Sequence, residues 1–253
     1  MIRTLENENL IVSINDIGAE LVSIKNRNNK KEYIWYGDST IWKWHAPVLF
    51  PICGEFKDGF AIDRKKYFLP RHGFLREKVH DFISDGYYIY KTEGEENYPF
   101  SLEAKTSFIL SGNTLIHRLT IKNTGKENMP YSMGFHTGFL LSNATLEFEK
   151  EEKGLSGKIF NSKENRKELE DAVLLYNLSS HSLVAKSEDG KIIKLKSPDF
   201  TTLVLWSAPN SNSSFIAIEP RIDTTEDGAI EPFKRMLYPK QEATIEEIIE
   251  VIE

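Results

Sequence analysis

Alternation of apolar and polar residues at a period of two is the feature that most restricts this chain's fold. In "NTLIHRLTIKN", Leu115, His117, Leu119 and Ile121 fall on one face; Ile116, Arg118, Thr120 and Lys122 fall on the other. Successive side chains of a strand point to opposite sides, so one face enters a core and the other meets solvent. "SLEAKTSFIL", "ATLEFEKE", "KIIKLKS", "TTLVLW" and "SFIAIEP" behave similarly. Turn-forming residues separate such runs: Ser111-Gly112-Asn113, Asn123-Thr124-Gly125, Asp189-Gly190 and Asn210-Ser211-Asn212. No alternation of strands with long helices is visible. Many short strands joined by turns predict an all-β antiparallel sandwich or barrel.

Two segments resist this pattern. Residues 162–170, SKENRKELE, are highly charged and suit a short surface helix or a loop. The C-terminal "ATIEEIIEVIE" reads both ways. Ile245, Ile248, Ile249 and Ile252 fit a helix, whereas Ala243, Ile245, Ile249 and Val251 fit a strand. A strand is predicted, because a sandwich tends to close with one. Nothing in the 253 residues reads as a linker, so one domain over residues 1–253 is expected.

Composition narrows the partners. With 32 basic against 38 acidic residues the formal charge is −6, which gives nucleic-acid binding no support. The single cysteine, Cys53, cannot form an intramolecular disulfide. The N-terminus lacks the apolar stretch of a signal peptide, and no run of eighteen apolar residues could span a membrane. A cytoplasmic monomer or homodimer without a membrane partner is expected.

Four stretches could carry chemistry. In "YSMGFHTGF", His136 lies between two phenylalanines, with Gly134 and Gly138 two residues to either side. It is either a hydrogen-bonded core residue or a proton carrier beside which small residues leave space. In "PRHGFLRE", His72 precedes Gly73, which permits an unusual backbone angle or the close approach of a ligand. Arg71 and Arg76 flank it with planar donor forks; an ordinary exposed loop is the alternative. In "SFIAIEPR", Glu219 shares a strand face with Phe215 and Ala217. Apolar neighbours would raise its pKa and suit it to act as a base, unless it simply pairs with Arg221 or another cation. In "PVLFPICGEFKDGF" an apolar run enters a mixed-charge loop. Trp35, Trp42 and Trp44 precede that run and are core residues or sugar-stacking surfaces. His117 lies on the apolar face of its strand and reads as structural; His45, His80 and His181 have no suggestive surroundings. No HxH, HExxH, CxxC or GxSxG spacing occurs, so no metal site and no nucleophile elbow is predicted. An acid–base pair without a cofactor remains.

In order, "W…W…APVLFPICG", "HGFLR", "SMGFHTGF", "LVLWS" and "IAIEP" resemble the aldose 1-epimerase (galactose mutarotase) family, from about residue 10 to the C-terminus. The branch it looks most like is the aldose epimerase-like one. The resemblance implies a large antiparallel β-sandwich of the galactose mutarotase-like (supersandwich) type, with its active site on the concave face of the larger sheet. It implies Glu219 as general base, His136 as protonated general acid and His72 as a sugar-binding, polarising group. Such a site interconverts the α- and β-anomers of an aldose by opening and closing the ring. Trp206, in the matching "LVLW", becomes a stacking or wall residue. Where family members often carry an arginine after the glycine of "FPxxG", this chain has Glu55; Arg76, Arg71 or Lys57 would have to compensate. The family's sugar-binding aspartate has no clear match, Asp199 and Asp223 being only nearby, and Arg221 replaces the tryptophan that often follows "EP". A hexose-6-phosphate epimerase is the related alternative, since it needs cations converging on a phosphate. A non-catalytic sugar-binding protein on the same scaffold is the other.

Overall fold

The computed structural model describes residues 1–62, 65–152, 154–155, 157–160, 166–209, 213–222 and 233–252. The predicted turn at 210–212, residues 162–165 of the charged segment and Asp223 lie outside them. Two large antiparallel sheets dominate. The first has nine strands, in the order Ile159–Phe160, Ala144–Phe148, Ser182–Lys186, Ile192–Lys196, Glu242–Ile252, Thr114–Asn123, Leu102–Ser111, Tyr87–Thr92 and Asp81–Ser84. The second joins Val173–Tyr176, Thr202–Trp206, Ile216–Arg221, Gly134–Phe135 and Val48–Leu49, with Thr137–Phe139 also paired to Ile216–Arg221. A three-stranded sheet is built from Ile2–Glu6, Leu10–Asn15 and Glu20–Asn26.

The period-two pattern sets the layers. Along Thr114–Asn123 the buried residues are Leu115, His117, Leu119, Ile121 and Asn123, every second position. The C-terminal segment is a strand, Glu242–Ile252, paired on one side with Thr114–Asn123 and on the other with Ile192–Lys196. Two neighbours satisfy its backbone, which overrides the helical spacing of Ile248 and Ile252. Of the charged segment, Arg166–Glu170 forms one short helix with Leu169 buried. Between the sheets, Leu115, Ile249 and Val251 of the first meet Leu205, Ile216 and Ile218 of the second. Each such side chain contributes about 1.5–3 kcal/mol by leaving water.

The two sheets differ in what covers their far faces. The outer face of the nine-stranded sheet carries cross-strand ion pairs, Arg118 with Glu246 and Lys91 with Glu103. The strand Ile216–Arg221 is instead buried on both faces. Ile216 and Ile218 enter the inter-sheet core, while Phe215 and Ala217 pack on the far side against Trp35, Trp42 and Trp206. The expected position of the site is corrected accordingly. The cavity lies on the far face of the six-stranded sheet, not on the larger sheet, because the loops containing Trp42 and His72 cover that face incompletely.

Candidate active site

The ladder itself brings Glu219 and His136 together. Gly134 pairs with Arg221 and Thr137 pairs with Ile218. Counting inward from both, His136 lies opposite Glu219 and Phe135 opposite Pro220. Residues directly opposite share a face, so the imidazole and the carboxylate point the same way. His136 Nε2 is 3.2 Å from Glu219 Oε1, and both side chains are almost fully buried. A guanidinium closes the arrangement: Arg221 Nη2 donates to Glu219 Oε2. Arg221 sits two residues along the same strand, again on the same face. Both readings of Glu219 therefore hold at once, a carboxylate among apolar neighbours and one paired with Arg221.

Burial sets the proton affinities. Glu219 is pushed above the usual carboxylate range by desolvation, against the opposing pull of Arg221. His136 is pushed well below the ordinary histidine value by burial and then by Arg221 and Arg76. His72 moves the same way, through burial, Arg221 and His136. Burial thus disfavours the standing imidazolium expected at His136.

His72 reaches the pair from the loop. It adopts φ 65° and accepts a hydrogen bond at Nδ1 from the Gly54 N–H, 3.0 Å. A neutral ring that accepts at Nδ1 carries its proton on Nε2. Its ring centre is 5.4 Å from that of His136. Gly73 follows with φ 75°, and it is the Phe50 carbonyl, not a ligand, that comes close to it. A similar correction applies to His136. A Cβ at Gly138 would lie 2.7 Å from Trp42, and one at Gly134 would lie 2.9 Å from Arg221 Cγ. The space beside the imidazole is filled by two side chains that themselves line the cavity.

That cavity measures ≈ 510 Å³, within the usual range of small-molecule sites. His72, His136 and Glu219 line it, as do Arg71, Arg76 and Trp206. Lys57 does not, and Asp199 is turned elsewhere, accepting from the Glu246 N–H. Arg71 Nη2 is 2.7 Å from Glu55, which explains what occupies the position after "FPICG": a carboxylate anchoring the neighbouring arginine. Arg76 Nη2 donates to the Arg71 carbonyl at 2.6 Å and lies 4.9 Å over the Trp44 ring. Of the three early tryptophans, Trp35 is core, whereas Trp42 and Trp44 line the cavity. Trp42 stacks on His136 at 4.8 Å. Sequence reasoning missed Arg221 and Lys43 as lining residues. The signal for Arg221 was its spacing, i+2 from Glu219 on one strand face.

The chain matches the model of the aldose 1-epimerase family over residues 1–233. It belongs to that family. Among curated relatives, the plasmid and chromosomal LacX proteins of Lactococcus lactis are each 31% identical over 258 residues, covering 85% of this chain and 86% of theirs. A galactose mutarotase-like protein from Lactobacillus casei superposes with a TM-score of 0.87 at 24% identity, over 100% of both chains. A galactose mutarotase related enzyme from Lactobacillus acidophilus gives 0.87 at 23% identity, over 100% of this chain and 98% of that one. These structures carry the fold, the galactose mutarotase-like β-sandwich that the aldose 1-epimerase motifs imply.

Proposed function

We propose that this member of the aldose 1-epimerase family is an isomerase that interconverts the α- and β-anomers of an aldose. The observation that carries the reading is the buried His136–Glu219 pair, 3.2 Å apart and facing a cavity of sugar-accommodating size. The reaction proceeds through the minor form in which the one proton of the pair sits on His136, since burial favours the proton on Glu219. Glu219 takes the proton of the anomeric hydroxyl as His136 gives its proton to the ring oxygen. The C1–O5 bond breaks, the aldehyde forms, C1–C2 rotates, and the same two transfers reverse on the other face. Before ring opening the pair is charged; afterwards it is neutral. A desolvated site disfavours the charged form, so burial lowers the relative cost of the open-chain state. His72, with its proton on Nε2, donates to a sugar oxygen. Trp42, Trp44 and Trp206 supply apolar walls. Acid and base each contribute ~10²–10⁴-fold.

The test is polarimetry on freshly dissolved glucose and galactose, wild type beside Glu219→Gln. Acceleration by the wild type that vanishes in the variant supports the reading. Absence of acceleration with every aldose tried overturns it in favour of sugar binding alone.

One observation favours a phosphorylated aldose as substrate. Among the described residues lining the cavity, four are cations, Lys43, Arg71, Arg76 and Arg221, and one is a carboxylate, Glu219; Arg71 pairs with Glu55 and Arg221 with Glu219, which leaves Lys43 and Arg76 as the local excess. In a chain of formal charge −6 that local excess suits an anion. Glucose 6-phosphate in the same assay decides between the two substrates.

A further inference from the structure

On the opposite side of the His136 backbone lies a polar cluster that the proton transfers do not use. His117, Thr137 and Glu247 are all fully buried between the two large sheets. His117 and Glu247 are direct partners across the nine-stranded ladder, with His117 Nδ1 2.9 Å from Glu247 Oε1. Thr137 belongs to the other sheet, and its hydroxyl lies 2.8 and 2.9 Å from the two Glu247 oxygens. The His117 ring packs on Phe108 at 4.4 Å and against Phe135 at 4.5 Å.

Stability alone gives no reason for a carboxylate here. Apolar residues of similar volume commonly replace buried ionic groups without loss. What hydrogen bonds add is direction, since they hold two sheets at one offset where apolar contacts tolerate several. The place of the tie is informative. Thr137 follows His136 and pairs with Ile218, which precedes Glu219. Immediately beyond, Pro220, opposite Phe135, has no N–H to give the ladder. The His136 N–H points the other way and donates to the Pro47 carbonyl, beside Val48–Leu49. One rung towards the Glu219 strand is therefore missing next to His136, and Thr137 is where the tie to the other sheet is made.

We propose that His117, Glu247 and Thr137 are positioning residues: the carboxylate of one sheet grips the hydroxyl of the other and fixes His136 opposite Glu219. This rests on the acid–base reading above. Thr137→Val keeps the side-chain shape and removes the hydroxyl; Thr137→Ser keeps the hydroxyl and removes a buried methyl group.

Displacements of about 1 Å can cost up to ~10²-fold in rate, so Thr137→Val is expected to lower kcat ~10-fold or more with KM changed less than ~2-fold. Thr137→Ser is expected to retain kcat within ~2-fold even where its thermal midpoint is the lower of the two. Equal kcat in the two variants, or kcat that follows thermal stability, overturns the proposal. Should Thr137→Val not fold, Glu247→Gln is measured in its place. Should the wild type accelerate no aldose, the acid–base reading falls by itself, and the His136 ring ¹H–¹⁵N signals report on positioning. Signals displaced in Thr137→Val and unmoved in Thr137→Ser support it; signals unmoved in both overturn it.

Discussion

Replacing Arg221 by methionine isolates what the guanidinium does for Glu219. Methionine fills much of the same length without charge, and the Arg221–Glu219 pair is buried at the cavity wall. Two unit charges about 4 Å apart at an effective dielectric constant near 20 interact by roughly 4 kcal/mol. The guanidinium therefore holds the Glu219 pKa below where burial alone would put it. Glu219 already sits above the usual carboxylate range because desolvation outweighs the cation. Without Arg221 its pKa rises further, so it holds a proton over a wider pH range. His136 loses the repulsion of the same cation and rises as well. Both limbs of the kcat/KM profile therefore move to higher pH. On the acid side the rate falls ~10-fold or more and returns as pH is raised. The assay is polarimetric mutarotation from pH 5 to 10. A profile lowered evenly at every pH, its limbs unmoved, refutes tuning by Arg221 and makes it a sugar contact. An unchanged profile refutes any role in the reaction.

Three other outcomes follow from the same geometry. Trp206→Ala removes a wall of the cavity that also meets His136 edge-on at 5.7 Å; KM is expected to rise ~10-fold with a smaller change in kcat, measured by initial rates. Arg76→Met is expected to reduce the rate with glucose 6-phosphate more than with glucose; equal losses on both would remove the case for a phosphate contact. His80, which does not line the cavity, is buried, and its pKa is lowered to about 4, chiefly by desolvation. Because the folded value lies below the ordinary 6.5, its contribution is complete above about pH 6.5 and is lost as pH falls toward 4. At pH 5 the unfolded chain's extra proton costs about 2 kcal/mol. His80→Phe should narrow the difference between urea midpoints at pH 7.5 and pH 5 by that amount; an undiminished difference would refute the assignment.

What the sequence disclosed follows the range over which each signal acts. Period two is local, so the strands and the inward set Leu115, Leu119, Ile121, Ile245 and Ile249 were legible. The C-terminal segment needed one non-local fact, that two strands flank it, before its helical spacing could be set aside. His136 and Glu219 could be singled out by type and neighbours, yet nothing local says that they face one another. That follows only from the register that pairs Gly134 with Arg221 and Thr137 with Ile218.

The glycine reading failed for a related reason. Space beside a glycine is visible in sequence, but the side chain that fills it, Trp42 or Arg221, comes from elsewhere in the fold. Lys57 failed in the same way, since closeness in sequence to "FPICG" does not place it on the cavity wall. His117 shows the converse. Its reading as structural was sound, but its partner Glu247 lies 130 residues away in sequence. A histidine on the apolar face of a strand implies that some other element must supply an acceptor. Here the acceptor belongs to the last strand, and its second hydrogen bond goes to the residue beside His136. On the positioning proposal, the placement of His136 depends on the final strand as much as on the "GFHTGF" stretch that contains it.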